Sequence, residues 1–136
     1  MCGPPVGGSL IAQIIASELD VEFFYTEKVA AQQYNALYSV TYRIPSCFRT
    51  ALEGKNVAIV DVVIHAGSAV RGTLAEIQAY GARPIIIGSL LILGETAQGF
   101  FTEMHLPLKS ISYLPNDLWV PAECPFCAAE TPLTIF

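Results

Sequence analysis

At 136 residues, 53% hydrophobic and 14% charged, the chain has the size of a single domain, 1–136, with enough apolar side chains for a real core and for further burial at a subunit interface. Its formal net charge of −5 and seven scattered Lys and Arg exclude the clustered basic footprint of a nucleic-acid binder. No apolar run reaches a membrane span, and the amino terminus lacks a basic start and meets Pro4 and Pro5 at once, so a cytoplasmic protein is expected, without a membrane or a signal peptide.

The first stretch, Cys-Gly-Pro-Pro-Val-Gly-Gly-Ser, predicts a tight loop whose backbone can come close to a ligand. Gly3 and Gly8 have the spacing of a Walker A loop, but Ser9 stands where that loop requires Lys. The residues alone leave open a ligand loop or a plain helix-opening turn. Leu10, Ile11, Ile14, Ile15 and Leu19 then predict an amphipathic helical face ending near Asp20. Residues 21–25 predict a strand, followed by Thr26-Glu27-Lys28. After Lys28 the next cation is Arg43, and the alternation of Leu37, Ser39 and Thr41 with Tyr38, Val40 and Tyr42 predicts one arm of a hairpin with an aromatic face.

Glu53-Gly54-Lys55 predicts a turn into the stretch around which the chain is organised, residues 56–73. Val57, Ile59, Val60, Val62, Val63 and Ile64 make a β-branched run that carries one acid, Asp61, and reads as a strand buried on both faces. The small residues Ala66-Gly67-Ser68 turn the chain, and Val70, Leu74 and Ile77 form a helical stripe with Ser68 placed as its cap. Strand, turn and helix together make an anion seat, because backbone N–H groups converge there and the helix dipole favours negative charge. Burying the Asp61 carboxylate is costly unless it is paired or faces a cleft, and a hydroxyl-rich sugar attached to the phosphate supplies the partner. The residue types alone therefore propose a sugar-phosphate site. His65 lies in the same turn, where a protonated imidazole would help hold an anion.

Tyr80-Gly81 predicts the end of that helix, and residues 83–93, with Pro84 at their start, a second buried strand. The resulting βαβ unit predicts a parallel pair. Residues 94–99 read as a polar turn and 105–113 as a last short strand. The Pro-rich segment 115–136 reads as irregular. Cys124 and Cys127 form a single CxxC, short of the two pairs a closed zinc site needs. Reduced thiols, a metal and a redox role all stay open for it, and no protein-held metal is expected. No Ser/His/Asp or Cys/His constellation competes with the sugar-phosphate reading, and His105 is taken as structural.

Asp61-Val62-Val63-Ile64-His65-Ala66-Gly67-Ser68-Ala69 resembles the strand and phosphate loop of type I phosphoribosyltransferases, closest to the orotate phosphoribosyltransferases. The segment Trp119…Pro121…Cys124-Pro125-Phe126-Cys127…Pro132-Leu133 resembles the tail of one bacterial branch of that group. The resemblance implies an α/β fold with a central, mostly parallel sheet flanked by helices. It implies transfer of ribose 5-phosphate from phosphoribosyl pyrophosphate (PRPP) to a nucleobase, orotate first, with release of pyrophosphate. It also implies Mg²⁺ bound with PRPP, and a homodimer. His65, Ala66, Gly67, Ser68 and Ala69 would hold the 5-phosphate and Asp61 a ribose hydroxyl. Gly3, Pro4, Pro5, Val6, Gly7 and Gly8 would hold the pyrophosphate with Lys28, and Asp61 and Lys28 are the catalytic candidates.

The chain departs from the family pattern at four points. Val62 stands where a second acid belongs, and His65 where Thr or Ser is usual. No basic residue falls in the segment that forms the family's mobile lid. Only Met1 and Cys2 precede the first loop, as though an amino-terminal portion were absent. These departures make a degenerate PRPP- or nucleotide-binding regulatory or structural homodimer the alternative.

Overall fold

The β-branched run that follows the Gly54 turn becomes the middle strand of a five-stranded sheet. The computed structural model describes residues 1–29, 41–120 and 122–132. In chain order the elements are β1 (Cys2–Gly3), α1 (Gly7–Glu18), β2 (Phe24–Tyr25), β3 (Glu27–Val29) and β4 (Thr41–Arg43). A 3-10 turn (Ser46–Phe48) leads into α2 (Arg49–Leu52), β5 (Asn56–Ile64), α3 (Ser68–Ala79) and β6 (Arg83–Leu93). Then come α4 (Thr96–Glu103), β7 (Leu108–Leu114) and α5 (Pro125–Ala128). The sheet has the order β2-β1-β5-β6-β7, and each neighbouring pair is parallel. This is the α/β architecture expected, with β5 where its near-continuous apolar run belongs.

The turns at 53–55 and 80–81 fall where the sequence puts them, closed by Lys55 N–H to the Leu52 carbonyl (3.1 Å) and Gly81 N–H to the Gln78 carbonyl (3.0 Å). β3 and β4 pair antiparallel as a separate ribbon, Lys28 opposite Tyr42. Of the predicted hairpin arm, Thr41 and Tyr42 lie in β4, whereas Leu37, Tyr38, Ser39 and Val40 lie outside the described residues, as does most of the segment without cations.

The helices divide between the two faces of the sheet. Ile59 belongs to a buried cluster with Val70, Leu74 and Ile77 of α3 and Ala97 and Phe101 of α4. Its neighbour Val60 points the other way and lines a groove with Ile11 and Ile15 of α1. Each fully buried Ile or Phe in that cluster contributes about 1.5–3 kcal/mol relative to exposure.

Three expectations need correction. α1 buries Gly8, Ala12 and Ala16, leaves Ile11 and Ile15 half-buried and turns Leu10 and Ile14 outward, 58% and 63% exposed, so small residues form the centre of its core face. Residues at i and i+4 share a helical face, and this stripe of small residues lets the helix lie close on the sheet. The segment 94–99, read as a polar turn, instead opens α4, whose buried Ala97 and Phe101 are four apart. The predicted strand 21–25 shortens to Phe24–Tyr25.

Candidate functional site

β1 and β5 are parallel neighbours, Cys2 opposite Ile59, so the loop after each strand emerges at the same edge of the sheet. In open α/β sheets ligands bind in the crevice outside those carboxyl ends. Asp61, His65, Ala66, Gly67, Ser68 and Ala69 line one cleft of about 260 Å³ there, completed by Val63, Ile64 and Val70. Every residue assigned from sequence to the sugar-phosphate half of the site is thus in one place.

The turn expected to hold the phosphate differs from expectation at its cap. Gly67, with φ 81° and ψ 11°, is the N-cap of α3, and no side chain caps the helix; Ser68 is its first residue. Only glycine adopts that left-handed conformation without strain. The first helical bond runs from Arg71 N–H to the Gly67 carbonyl, 2.8 Å. The first-turn amides ahead of Arg71 therefore have no partner within the helix, which is the arrangement that receives an anion. Arg71 itself lies over the Phe100 ring, 3.8 Å from its centroid.

The Gly3–Gly8 loop abuts this cleft through glycines that cannot be replaced without collision. A Cβ on Gly3 would lie 2.1 Å from the Gly8 carbonyl oxygen. On Gly8 it would lie 3.0 Å from Asp61 Oδ1, and on Gly7 2.9 Å from Val62 Cγ2. Ser9 N–H donates to the Pro4 carbonyl (2.8 Å), which closes the turn. Pro4 is buried, Pro5 half-buried and Val6 exposed. The two predicted loops meet at Asp61.

The Asp61 carboxylate accepts the Val62 N–H at 2.8 Å. Burial pushes its carboxyl up to about 6, with that N–H pulling the other way. A partly buried carboxylate beside an anion seat has few means of offsetting its desolvation, and a bound hydroxyl is one. Val62 turns an apolar side chain toward Gly7.

Lys28 does not line the cleft. It is exposed on β3, in the ribbon. Two residues earlier, Thr26 is fully buried, its N–H reaching the Gly3 carbonyl (3.2 Å) and its hydroxyl 2.9 Å from that of Thr73 in α3. The chain leaves the first loop there, ahead of the lysine.

Two residues of the neighbourhood have no assignment from sequence. Tyr42 is buried against α3, where its Cδ2 lies 2.3 Å from the position of a Cβ on Gly72. Burial raises its hydroxyl above the usual tyrosine range, and the Asp61 charge raises it further. Its place on an aromatic face was a signal, but strand alternation does not say what the face meets. Asn116 Nδ2 lies 2.9 Å from His65 Nε2, a contact across 51 residues that no local pattern announces. Asn116 also lines a second cleft, of about 350 Å³, with Glu95, Tyr113, Asp117 and Trp119.

Among the described residues no three His, Cys, Asp or Glu side chains gather into a metal-holding group, and no helix is long and apolar enough to cross a membrane. The phosphoribosyl transferase domain family matches over residues 1–104. The orotate phosphoribosyltransferase of Thermotoga maritima is 22% identical over 130 residues, covering 96% of this chain and 62% of that protein. The chain thus spans about three fifths of the length of the curated relatives it matches. Among solved structures, the orotate phosphoribosyltransferase of Aeropyrum pernix superposes with a TM-score of 0.64 at 20% identity, over 83% of this chain and 59% of that one. The adenine phosphoribosyltransferase of Trypanosoma brucei, solved with AMP, pyrophosphate and ribose-5-phosphate, gives 0.67 at 20%, over 82% and 54%. At these identities the structural likeness bears on the fold.

Proposed function

The chain belongs to the phosphoribosyl transferase domain family, and from that premise we propose that it transfers the ribose 5-phosphate of PRPP to a ring nitrogen of a nucleobase, orotate first, with release of pyrophosphate. The observation that carries this reading is the single cleft joining Asp61 to the uncapped turn 65–69, with the Gly3–Gly8 loop against it. The turn amides hold the 5-phosphate, Asp61 accepts a ribose hydroxyl, and the glycine loop offers backbone N–H groups to the pyrophosphate. The transition state of such a transfer carries positive charge on the ribose, so the protein's contribution is placement and charge compensation. Lys28 would reach the pyrophosphate from the ribbon. Orotate is favoured by the names of the curated relatives, whereas solved structures of similar fold include adenine enzymes.

Among the described residues Asp61 is the one carboxylate lining this cleft, a donor set that suits Mg²⁺ arriving with the diphosphate and holding mostly ligand oxygens and water. When bound it would offset pyrophosphate charge. We place the protein in the cytoplasm as a homodimer; support for the dimer comes from Ile111, 83% exposed, and the outward Leu10 and Ile14.

A second reading, a non-catalytic PRPP-binding module, is favoured by Val62. An apolar side chain turned toward Gly7 removes a charged hydrogen bond to ribose, a loss on the order of 1.5–3 kcal/mol. Titration calorimetry with PRPP and Mg²⁺ should give saturable heat under both readings; none at millimolar ligand rejects both. Pyrophosphate release on adding orotate or adenine then separates enzyme from binder. Val62→Asp should raise any activity, and a fall in PRPP affinity in that variant would show that the ribose lies elsewhere.

A further inference from the structure

Cys124 and Cys127 take no part in the sugar-phosphate site. Cys124 is the N-cap of α5, Pro125 opens the helix, and Ala128 N–H bonds to the Cys124 carbonyl at 3.0 Å. Positions three apart on one helical turn face the same way. Both cysteines therefore leave the same single helical turn, three residues apart. Both are free, Cys127 exposed and Cys124 half-buried. The other cysteines differ: Cys2 is buried, its thiol pushed up to about 12 by that burial, and Cys47 is exposed but sits on another part of the chain, before α2. Between the paired cysteines, Phe126 meets Trp119 edge-on, ring centroids 5.7 Å apart, and Trp119 is the chain's single tryptophan.

We propose that Cys124 and Cys127 form a thiol–disulfide couple that exchanges with low-molecular-weight disulfides. The Cys124 thiolate attacks one sulfur of the disulfide, forming a mixed disulfide and expelling one thiolate. Cys127 then loses its proton, attacks the Cys124 sulfur, closes the intramolecular bond and expels the second thiolate. Two electrons pass to the small disulfide, which leaves as two thiols carrying the two protons. The order of attack follows from the local field. The Cys127 N–H, aided by its thiol, holds Cys124 below the usual thiol range, while contact with Cys124 pushes Cys127 up. A free dithiol spaced by two residues on one turn can close its disulfide with little movement of the chain.

The test uses the full chain carrying Cys47→Ser, equilibrated with mixtures of reduced and oxidised glutathione, then acid-quenched, alkylated and weighed intact. Two alkylatable thiols should vanish together in one transition, leaving a product lighter by two hydrogens with no covalent dimer. Trp119 emission should change at the same midpoint. Adding Cys127→Ser should halt the reaction at a glutathione adduct on Cys124. The proposal is overturned if both thiols stay alkylatable at ratios that modify Cys47 in the parent chain, or if they titrate separately as adducts or cross-link between chains.

Discussion

α1 and α3 are twelve-residue helices that each follow a parallel strand and open beside glycine, yet they meet the sheet in opposite ways. α3 presses Val70, Leu74 and Ile77 into the core, and Gly67 opens its amino terminus toward the cleft beside Asp61. α1 lies on Gly8, Ala12 and Ala16, with Ile11 and Ile15 half-buried at the side and Leu10, Ile14 and Leu19 pointing outward. The close seating of α1 is what carries Gly7 and Gly8 to within touching distance of Val62 and Asp61. One helix supplies the fold with its large side chains; the other supplies the site with its small ones.

The widest separation between the two should appear in matched truncations. Ile77→Ala leaves a cavity in a fully buried position and should cost about 2–5 kcal/mol in urea unfolding, against under about 0.5 kcal/mol for the exposed Ile14→Ala. Equal losses would mean that α1 is covered by something its exposure does not reveal. Next come the glycines. Gly3→Ala drives a methyl into backbone at 2.1 Å and should lose about 3 kcal/mol, together with PRPP binding. Gly67→Ala meets only ordinary contact, 3.4 Å from Ala97, so its penalty is the left-handed backbone, about 1–2 kcal/mol. The comparison breaks if Gly67→Ala proves the more damaging of the two.

The same contrast explains what could be read from sequence. β5 begins at Asn56 and ends at Ile64, as its β-branched run announces, and the turn that follows holds the residues picked for the phosphate. Strand period, turn composition and helical stripe agreed there, and each is local. In α1 the period was readable but its polarity was not. An alanine stripe scores as weak beside Leu and Ile, and only the sheet decides which face is needed. The Ser68 cap failed because Gly67 could take the left-handed conformation one residue earlier. Tyr42 and Asn116 depend on contacts 30 or more residues away in sequence, Tyr42 with Gly72 and Asn116 with His65, which no pattern in either segment encodes.

The smallest expected effect bears most directly on Asp61, where the two junctions meet. Its carboxyl is raised from 3.8 to about 6 by burial, so the folded protein holds this proton more tightly than the unfolded chain. Between those values stability falls as pH rises, and above them the full cost of an ionised, half-buried carboxylate is present. Asp61→Asn keeps an oxygen to accept the Val62 N–H but carries no charge. It should therefore unfold later than the parent at about pH 8, by on the order of 1 kcal/mol after allowance for partial exposure. The advantage should shrink as pH drops through about 6 and vanish below about 4. In the same variant PRPP affinity should fall if Asp61 accepts the ribose hydroxyl as proposed. Urea titrations across pH, paired with calorimetry, read the two effects separately. A variant less stable at high pH, or one whose advantage ignores pH, would mean that the carboxylate is already compensated by the protein and has no need of a sugar.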